Sequence, residues 1–169
     1  MIKGTTFVTL DKSKKVEFLP ELFRIFYENT AKISPFTRSY ESEMKSWVGE
    51  VSPALEKAPR QIILIYHGND LAGFVMYYVR GDLLMIEELQ LKEKYQRTLL
   101  LYKTVKHMIE LLSSTVGRIE AYALRKNSIS IGLMRDMGFL EVGDTGGTKF
   151  MHFSLDLNSI MSRINRKNY

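Results

Sequence analysis

The sequence predicts an α/β fold, α+β in its ordering: a mixed, mostly antiparallel central sheet with helices on both faces. Three observations carry the prediction. Two early stretches place apolar residues at helical spacing. Three β-rich apolar runs follow, divided by turn signals. After Leu91 the apolar period switches from that of a strand to that of a helix and then back.

Taken in order, Thr5 to Leu10 is a short first strand. Lys14 to Asn29 reads as a helix on Val16, Leu19, Leu22, Phe23, Phe26 and Tyr27, with Pro20 near its start, where proline is tolerated. A second helix runs from about Tyr40 to Val51 with Met44, Trp47 and Val48, and Ala58-Pro59 closes that segment. Gln61 to Tyr66 is a nearly wholly apolar strand, His67-Gly68-Asn69-Asp70 a turn, and Leu71 to Val79 the strand that completes a hairpin. Gly81-Asp82 turns the chain into a third strand, Leu83 to Leu91.

A helix from about Arg97 to Leu112 carries the stripe Leu101, Val105, Met108, Ile109 and Leu112. Gly117 precedes a strand, Arg118 to Leu124. Asn127 starts a helix with Ile131, Met134 and Met137 inward, and Gly138 ends it. Phe139 to Val142 and Lys149 to Leu155 finish the fold across an Asp144-Thr145-Gly146-Gly147 turn. The early hairpins are expected to be antiparallel, and the crossover at 83–124 parallel and right-handed. No repeat or linker divides the chain, which predicts a single domain over 1–157 and a basic tail over 158–169 with Arg163, Arg166 and Lys167.

Composition narrows the function classes. The chain has no cysteine, which excludes disulfides, thiolate metal sites and a cysteine nucleophile and is compatible with a cytoplasmic protein. No run approaches the ~18 apolar residues of a membrane span, and Met1-Ile2-Lys3-Gly4 lacks the apolar core of a signal peptide. The three histidines, His67, His107 and His152, are scattered, so no metal site is expected. A net charge of +5 attracts anions, or simply keeps the protein in solution. Without a helix-turn-helix or an interleaved aromatic-basic pattern, nucleic acid is not an expected partner.

Chemistry is concentrated between Leu83 and Leu112. The turn Lys92-Glu93-Lys94-Tyr95-Gln96-Arg97-Thr98 lies before a helix N-terminus, where free N–H groups and the helix dipole favour an anion. Lys92, Lys94 and Arg97 add positive charge; the plainer alternative is a solvated basic loop. Glu87-Glu88 interrupts an apolar strand, and adjacent strand residues face opposite sides, so one carboxylate points to a core layer or cleft. Desolvation there would raise its pKa towards that of a general base. The alternative is an edge strand with both carboxylates solvated, or paired with Arg80 or Arg118. Asn127 to Phe139, NSISIGLMRDMGF, begins on a good N-cap and ends on Met-Gly-Phe.

These segments and the element order resemble the GNAT superfamily of acyl-coenzyme-A-dependent N-acetyltransferases over nearly the whole chain. Where that family has V-x-P-x-Y-R-G-x-G-x-G, this chain has Leu91 to Leu101, LKEKYQRTLLL; Leu91, Tyr95 and Gln96 fit. Where the family has N-x-x-A-x-x-L-Y-x-x-x-G-F, Asn127, Ser130, Leu133, Gly138 and Phe139 fit. Leu99 and Leu101 replace loop glycines, Glu93 stands in place of proline, and Met134 replaces the usual tyrosine acid.

The resemblance implies acetyl-CoA as co-substrate and a primary amine of a small molecule or peptide as acceptor. It implies that the pyrophosphate lies on N–H groups from Gln96 through Arg97, Thr98, Leu99 and Leu100 to Leu101, with side-chain help from Arg97 and Thr98. The pantetheine arm runs along Leu89 to Leu91, the N–H near Leu89 polarises the thioester, and Asn127 reaches the coenzyme arm. Glu87 is the first candidate base and Glu88 the second, the other binding the cationic acceptor. Water, Tyr95 or Tyr122 would replace Met134 as proton donor. Phe26, Tyr27, Phe36, Tyr40 and Trp47 line the acceptor pocket or else belong to the core. A homodimer paired through the last strands is also compatible with the family. The alternative is a GNAT-fold module without catalysis that binds acyl-CoA or a protein partner, which the replaced glycines and tyrosine favour.

Overall fold

The computed structural model describes residues 4–57, 60–112, 114–143 and 149–157. The strands are β1 (Thr5–Thr9), β2 (Gln61–His67), β3 (Asp70–Arg80), β4 (Leu83–Leu91), β5 (Arg118–Leu124), β6 (Leu140–Glu141) and β7 (Phe150–Asp156). The helices are α1 (Lys15–Ala31), α2 (Tyr40–Lys57), α3 (Leu100–Leu112) and α4 (Ser128–Asp136), with short 3₁₀ turns at Lys12–Lys14 and Glu93–Tyr95. Among the described residues the sheet has seven strands in the order β1-β2-β3-β4-β5-β7-β6. β4 and β5 are parallel; β1–β2, β2–β3, β5–β7 and β6–β7 are antiparallel. The mixed α/β architecture is the one the sequence predicts. Ala58-Pro59, the 144–147 turn and the 158–169 tail lie outside the described residues.

Several element ends shift by one or two residues from the sequence prediction, and three differences have a clear physical reason. α2 continues past Val51 to Lys57 in spite of Pro53. An internal proline costs roughly 3 kcal/mol, and the burial of Leu55 to 2% exposure in the α1–β2–β3 core returns about 1.5–3 kcal/mol. α3 starts at Leu100 rather than Arg97, because Arg97 adopts a left-handed backbone (φ 58°). β6 begins after Phe139, whose N–H is still bonded to the carbonyl of Met134 (2.9 Å), the helix ending at Gly138 with φ 89°.

The chain divides into two compact units: Met1–Tyr78 with Glu88–Val105, and Val79–Glu87 with Lys106–Tyr169. In the first, Leu19, Leu22 and Ile25 of α1 and Leu55 of α2 pack on Ile62 and Leu64 of β2 and Phe74 and Met76 of β3. The other face of β2 is equally dry, with Ile63 and Ile65 fully buried, which is why that strand reads as a continuous apolar run rather than an alternation. In the second unit, β5 alternates buried Ile119, Ala121 and Ala123 with the more open Arg118, Glu120 and Tyr122.

Candidate active site

In the first unit the end of β4, the loop after it and the start of α3 form one polar constellation. β4 is drawn tightly onto β3 at Gly73. A Cβ there would lie 2.1 Å from the Gln90 carbonyl oxygen and 3.0 Å from Leu91 Cα, so only glycine admits the strand. The Lys92 N–H donates to the Ala72 carbonyl (2.8 Å) and holds the exit of β4 in place. On its other side the parallel register with β5 runs only from Leu83↔Arg118 to Ile86↔Ala121, although β4 continues to Leu91.

Glu87 and Glu88 follow directly, both half-buried. Strand alternation puts them on opposite faces and puts Glu88 beside Gln90. Gln90 Nε2 donates to Glu88 Oε2 at 2.9 Å. Leu89 is half-buried and Leu91 is buried. The Leu91 carbonyl accepts from Asn29 Nδ2 and from Gln96 Nε2, each at 2.9 Å.

The loop is anchored by Asp70, at the start of β3. Lys94, the Tyr95 hydroxyl (2.8 Å) and Lys92 (3.1 Å) converge on its carboxylate. Together they hold the Asp70 carboxyl well below the usual carboxylate range, and the same contact raises the Tyr95 hydroxyl above its ordinary value. Lys32 pairs with Glu93 at 2.8 Å. Two of the three cations expected to face an anion, Lys92 and Lys94, are therefore engaged by Asp70, whereas Arg97 forms no ion pair among the described residues.

After the 3₁₀ turn, Thr98 acts as a local cap. Its hydroxyl donates to the Tyr95 carbonyl (2.7 Å) and accepts the Leu100 N–H (3.2 Å). The Gln96 N–H donates to the Glu93 carbonyl (3.0 Å). Of the N–H groups from Gln96 to Leu101, those of Arg97, Thr98, Leu99 and Leu101 have no acceptor among the described residues. Leu99 is 73% exposed, Leu100 is buried and Leu101 half-buried.

Asn127 belongs to the second unit and caps α4, its Oδ1 accepting the Ser130 N–H at 3.0 Å. Met134 is half-buried. Of the tyrosines considered as proton donors, Tyr95 is bonded to Asp70, and Tyr122 is 48% exposed and stacks on His152 (4.5 Å, 12°). His152 in turn contacts Glu120 at 2.9 Å. Phe26 and Tyr27 of α1, Tyr40 and Trp47 of α2 and Phe36 between the helices form one cluster with buried Phe23. Tyr27 stacks on Phe36 (4.5 Å, 8°) and Phe26 on Trp47 (5.8 Å, 24°), and Tyr40 meets Tyr27 edge-on (5.0 Å). Apart from Phe23 these rings are half-buried.

Sequence reasoning missed Asn29, Gln90 and Gly73, for which no local motif exists. It also missed the left-handed Arg97, for which a signal was present: Arg97 stands where the resembled loop pattern has its first glycine. Among the described residues no group of three or more His, Cys, Asp or Glu could hold a metal ion, and no helix is long and apolar enough to cross a membrane.

Neither a protein-family model nor a curated protein matches the sequence. Solved structures do. An acetyltransferase from Thermus thermophilus superposes with a TM-score of 0.73 at 16% identity, covering 92% of this chain and 98% of its own. The PaiA N-acetyltransferase of Thermoplasma acidophilum, solved in complex with coenzyme A, gives 0.65 at 17% identity over 90% and 99%. The ribosomal-protein-S18-alanine N-acetyltransferase of Escherichia coli gives 0.63 at 18% identity over 90% and 94%. Likeness at this identity speaks for architecture, and the chain has the fold of the GNAT acetyltransferases.

Proposed function

We propose that the protein is an N-acetyltransferase that moves an acetyl group from acetyl-CoA to a primary amine of a small molecule or peptide. The observation that carries this reading is the turn from β4 into α3. A left-handed Arg97 opens a run of unbonded N–H groups at a helix N-terminus, beside a guanidinium that forms no ion pair among the described residues and feels the field of Glu93. Oriented N–H groups, a helix dipole and a cation without an ion-pair partner suit a pyrophosphate. Arg97, Thr98, Leu99 and Leu101 would hold it through their N–H groups, with the Arg97 side chain as counter-charge. Gln96 and Leu100, whose N–H groups are already bonded, would serve by shaping the loop.

Leu89 to Leu91 would receive the pantetheine arm as an added strand. Acetyl-CoA supplies the activated acyl group. Glu87 would take the proton of the attacking amine as the C–N bond forms and the C–S bond breaks, and the Leu89 N–H would stabilise the carbonyl oxygen. Water would protonate the departing thiolate, since Met134 has no proton to give and Tyr95 is bonded to Asp70. Glu88, on the opposite face of β4 from Glu87, is the second candidate base.

A second reading, a binding module without catalysis, is favoured by the 73% exposed Leu99 side chain at a place where the loop pattern has glycine. Calorimetry with acetyl-CoA on wild type and Leu99→Glu comes first. Binding that weakens at least about tenfold with a carboxylate in the loop supports the coenzyme site. A folded wild type that does not bind acetyl-CoA refutes it. Steady-state assays over a panel of amines then separate the two readings. The enzyme reading expects Glu87→Gln to lower kcat by about 10²–10⁴ with acetyl-CoA affinity kept, and the module reading expects no turnover from either protein.

A further inference from the structure

We infer that Asn29 is a positioning residue that couples the Glu88 carboxylate to the coenzyme loop through a single directed chain of side-chain amides. The inference rests on the reading of the β4–α3 turn as an acyl-CoA site and adds a residue from α1 to it.

The chain runs through four side chains. Gln96 Nε2 donates to Asn29 Oδ1 (2.8 Å), Asn29 Nδ2 donates to Gln90 Oε1 (2.9 Å), and Gln90 Nε2 donates to Glu88 Oε2 (2.9 Å). All four residues lie in the first unit, on α1, β4 and the loop. An ionised carboxylate can only accept, whereas a primary amide has one accepting and one donating end. Glu88 therefore sets which end Gln90 shows it, while the Leu91 carbonyl, which can only accept, requires the donating ends of Asn29 and Gln96, and the two demands agree along the chain. The Glu88 carboxylate at one end and Gln96, next to Arg97, at the other are thus joined through Asn29 in one consistently oriented run of hydrogen bonds.

A second feature tightens the link. The Leu91 carbonyl, the last of β4, accepts from both Asn29 and Gln96. The exit of the strand and the start of the loop are thus tied to the same α1 residue, within the close approach that Gly73 permits. A cationic amine that meets Glu88 and an acyl-CoA that meets the loop act on the two ends of one network, which gives their affinities a reciprocal coupling.

The test uses three substitutions. Asn29→Asp keeps the size and the acceptor for Gln96 but loses the donor to Gln90 and Leu91. Gln90→Met removes the central link without touching Gln96, and Glu88→Gln removes the charge at the end of the chain. In the ¹⁵N-labelled protein without ligand, the side-chain amide signal of Gln96 is expected to shift in Gln90→Met and Glu88→Gln, whose changed atoms do not contact it. By calorimetry, Asn29→Asp and Gln90→Met should each weaken acetyl-CoA binding about three- to tenfold, and the double variant should lose less than the product of the two. A Gln96 signal unmoved in both variants, or losses that multiply, overturns the coupling in a protein that binds acetyl-CoA. Absence of acetyl-CoA binding by wild type overturns instead the acyl-CoA reading beneath it, and the amide shifts still report whether the chain exists. Should Asn29→Asp not fold, Gln90→Met and Glu88→Gln carry the same decision.

Discussion

Gly73→Ala isolates the contact on which the site's geometry depends. By local rules the change is harmless: Gly73 does not have a positive φ, and alanine at a compatible position usually stabilises by ~0.4–1 kcal/mol through the unfolded chain. The tertiary structure gives the opposite sign. The new methyl would lie 2.1 Å from the Gln90 carbonyl oxygen, where real contacts stay beyond 3.0 Å, so the strand must retreat by close to 1 Å. The obstacle is backbone, not the end of a flexible side chain, and Leu91 Cα lies at 3.0 Å beside it. Overpacking of this kind costs about 1–3 kcal/mol, and the Lys92–Ala72 hydrogen bond next to it is strained as well. A loss of about 3 kcal/mol lowers Tm by about 6–12 °C in a chain of this size. The displaced Leu91 carbonyl also releases Asn29 and Gln96, so on the proposed acyl-CoA reading acetyl-CoA affinity should fall with stability. Thermal unfolding by circular dichroism and calorimetric titration of the same sample measure both. A Tm within about 2 °C of wild type with unchanged affinity would refute the argument that glycine is required for strand approach.

Two further perturbations test other parts of the reasoning. Arg97→Gly removes a left-handed strain of roughly 1–2 kcal/mol, offset by the ~0.5–1 kcal/mol of glycine's chain entropy. Tm should hold or rise by a few degrees, whereas Arg97→Val, β-branched at φ 58°, should lower it; differential scanning calorimetry that ranks valine above glycine would contradict the observed backbone. Asp70 bears on acid stability. Its folded pKa is depressed, chiefly by Lys94, then Tyr95 and Lys92, so its contribution is present above the unfolded value of 3.8 and is lost as pH falls below it. The side chain is 35% exposed, so solvent screening limits the contribution to about 1 kcal/mol or less. Wild-type Tm should therefore fall more steeply than that of Asp70→Asn below pH ~4 and run parallel to it from pH ~5 to 8; parallel curves over the whole range would show that the contact adds nothing.

Much of the fold was legible because its signals are local. The strands Leu83–Leu91 and Arg118–Leu124 have the predicted bounds, since Gly81-Asp82 and Gly117 punctuate β-rich runs within a few residues. The Asn127 cap was legible because the bond it makes spans three residues. The end of α2 was not: Pro53 signals a stop locally, while Leu55 is buried against residues of β2 and β3 that periodicity does not bring near it. The site divides in the same way. Its carboxylates, turn and helix start were read from one continuous stretch. The capture of Lys92 and Lys94 by Asp70 and the Asn29–Gln96 bond join residues 22 to 67 positions apart.

The sequence by itself determined the order and type of the elements and where chemistry concentrates, because periodicity, caps and turns are set by the nearest few residues. Only the tertiary structure decided which of the loop's cations form ion pairs, which amide answers which carboxylate, and that position 73 has room for nothing larger than hydrogen. Those outcomes depend on distances between backbone segments that the packing of α1, α2, β2 and β3 sets collectively.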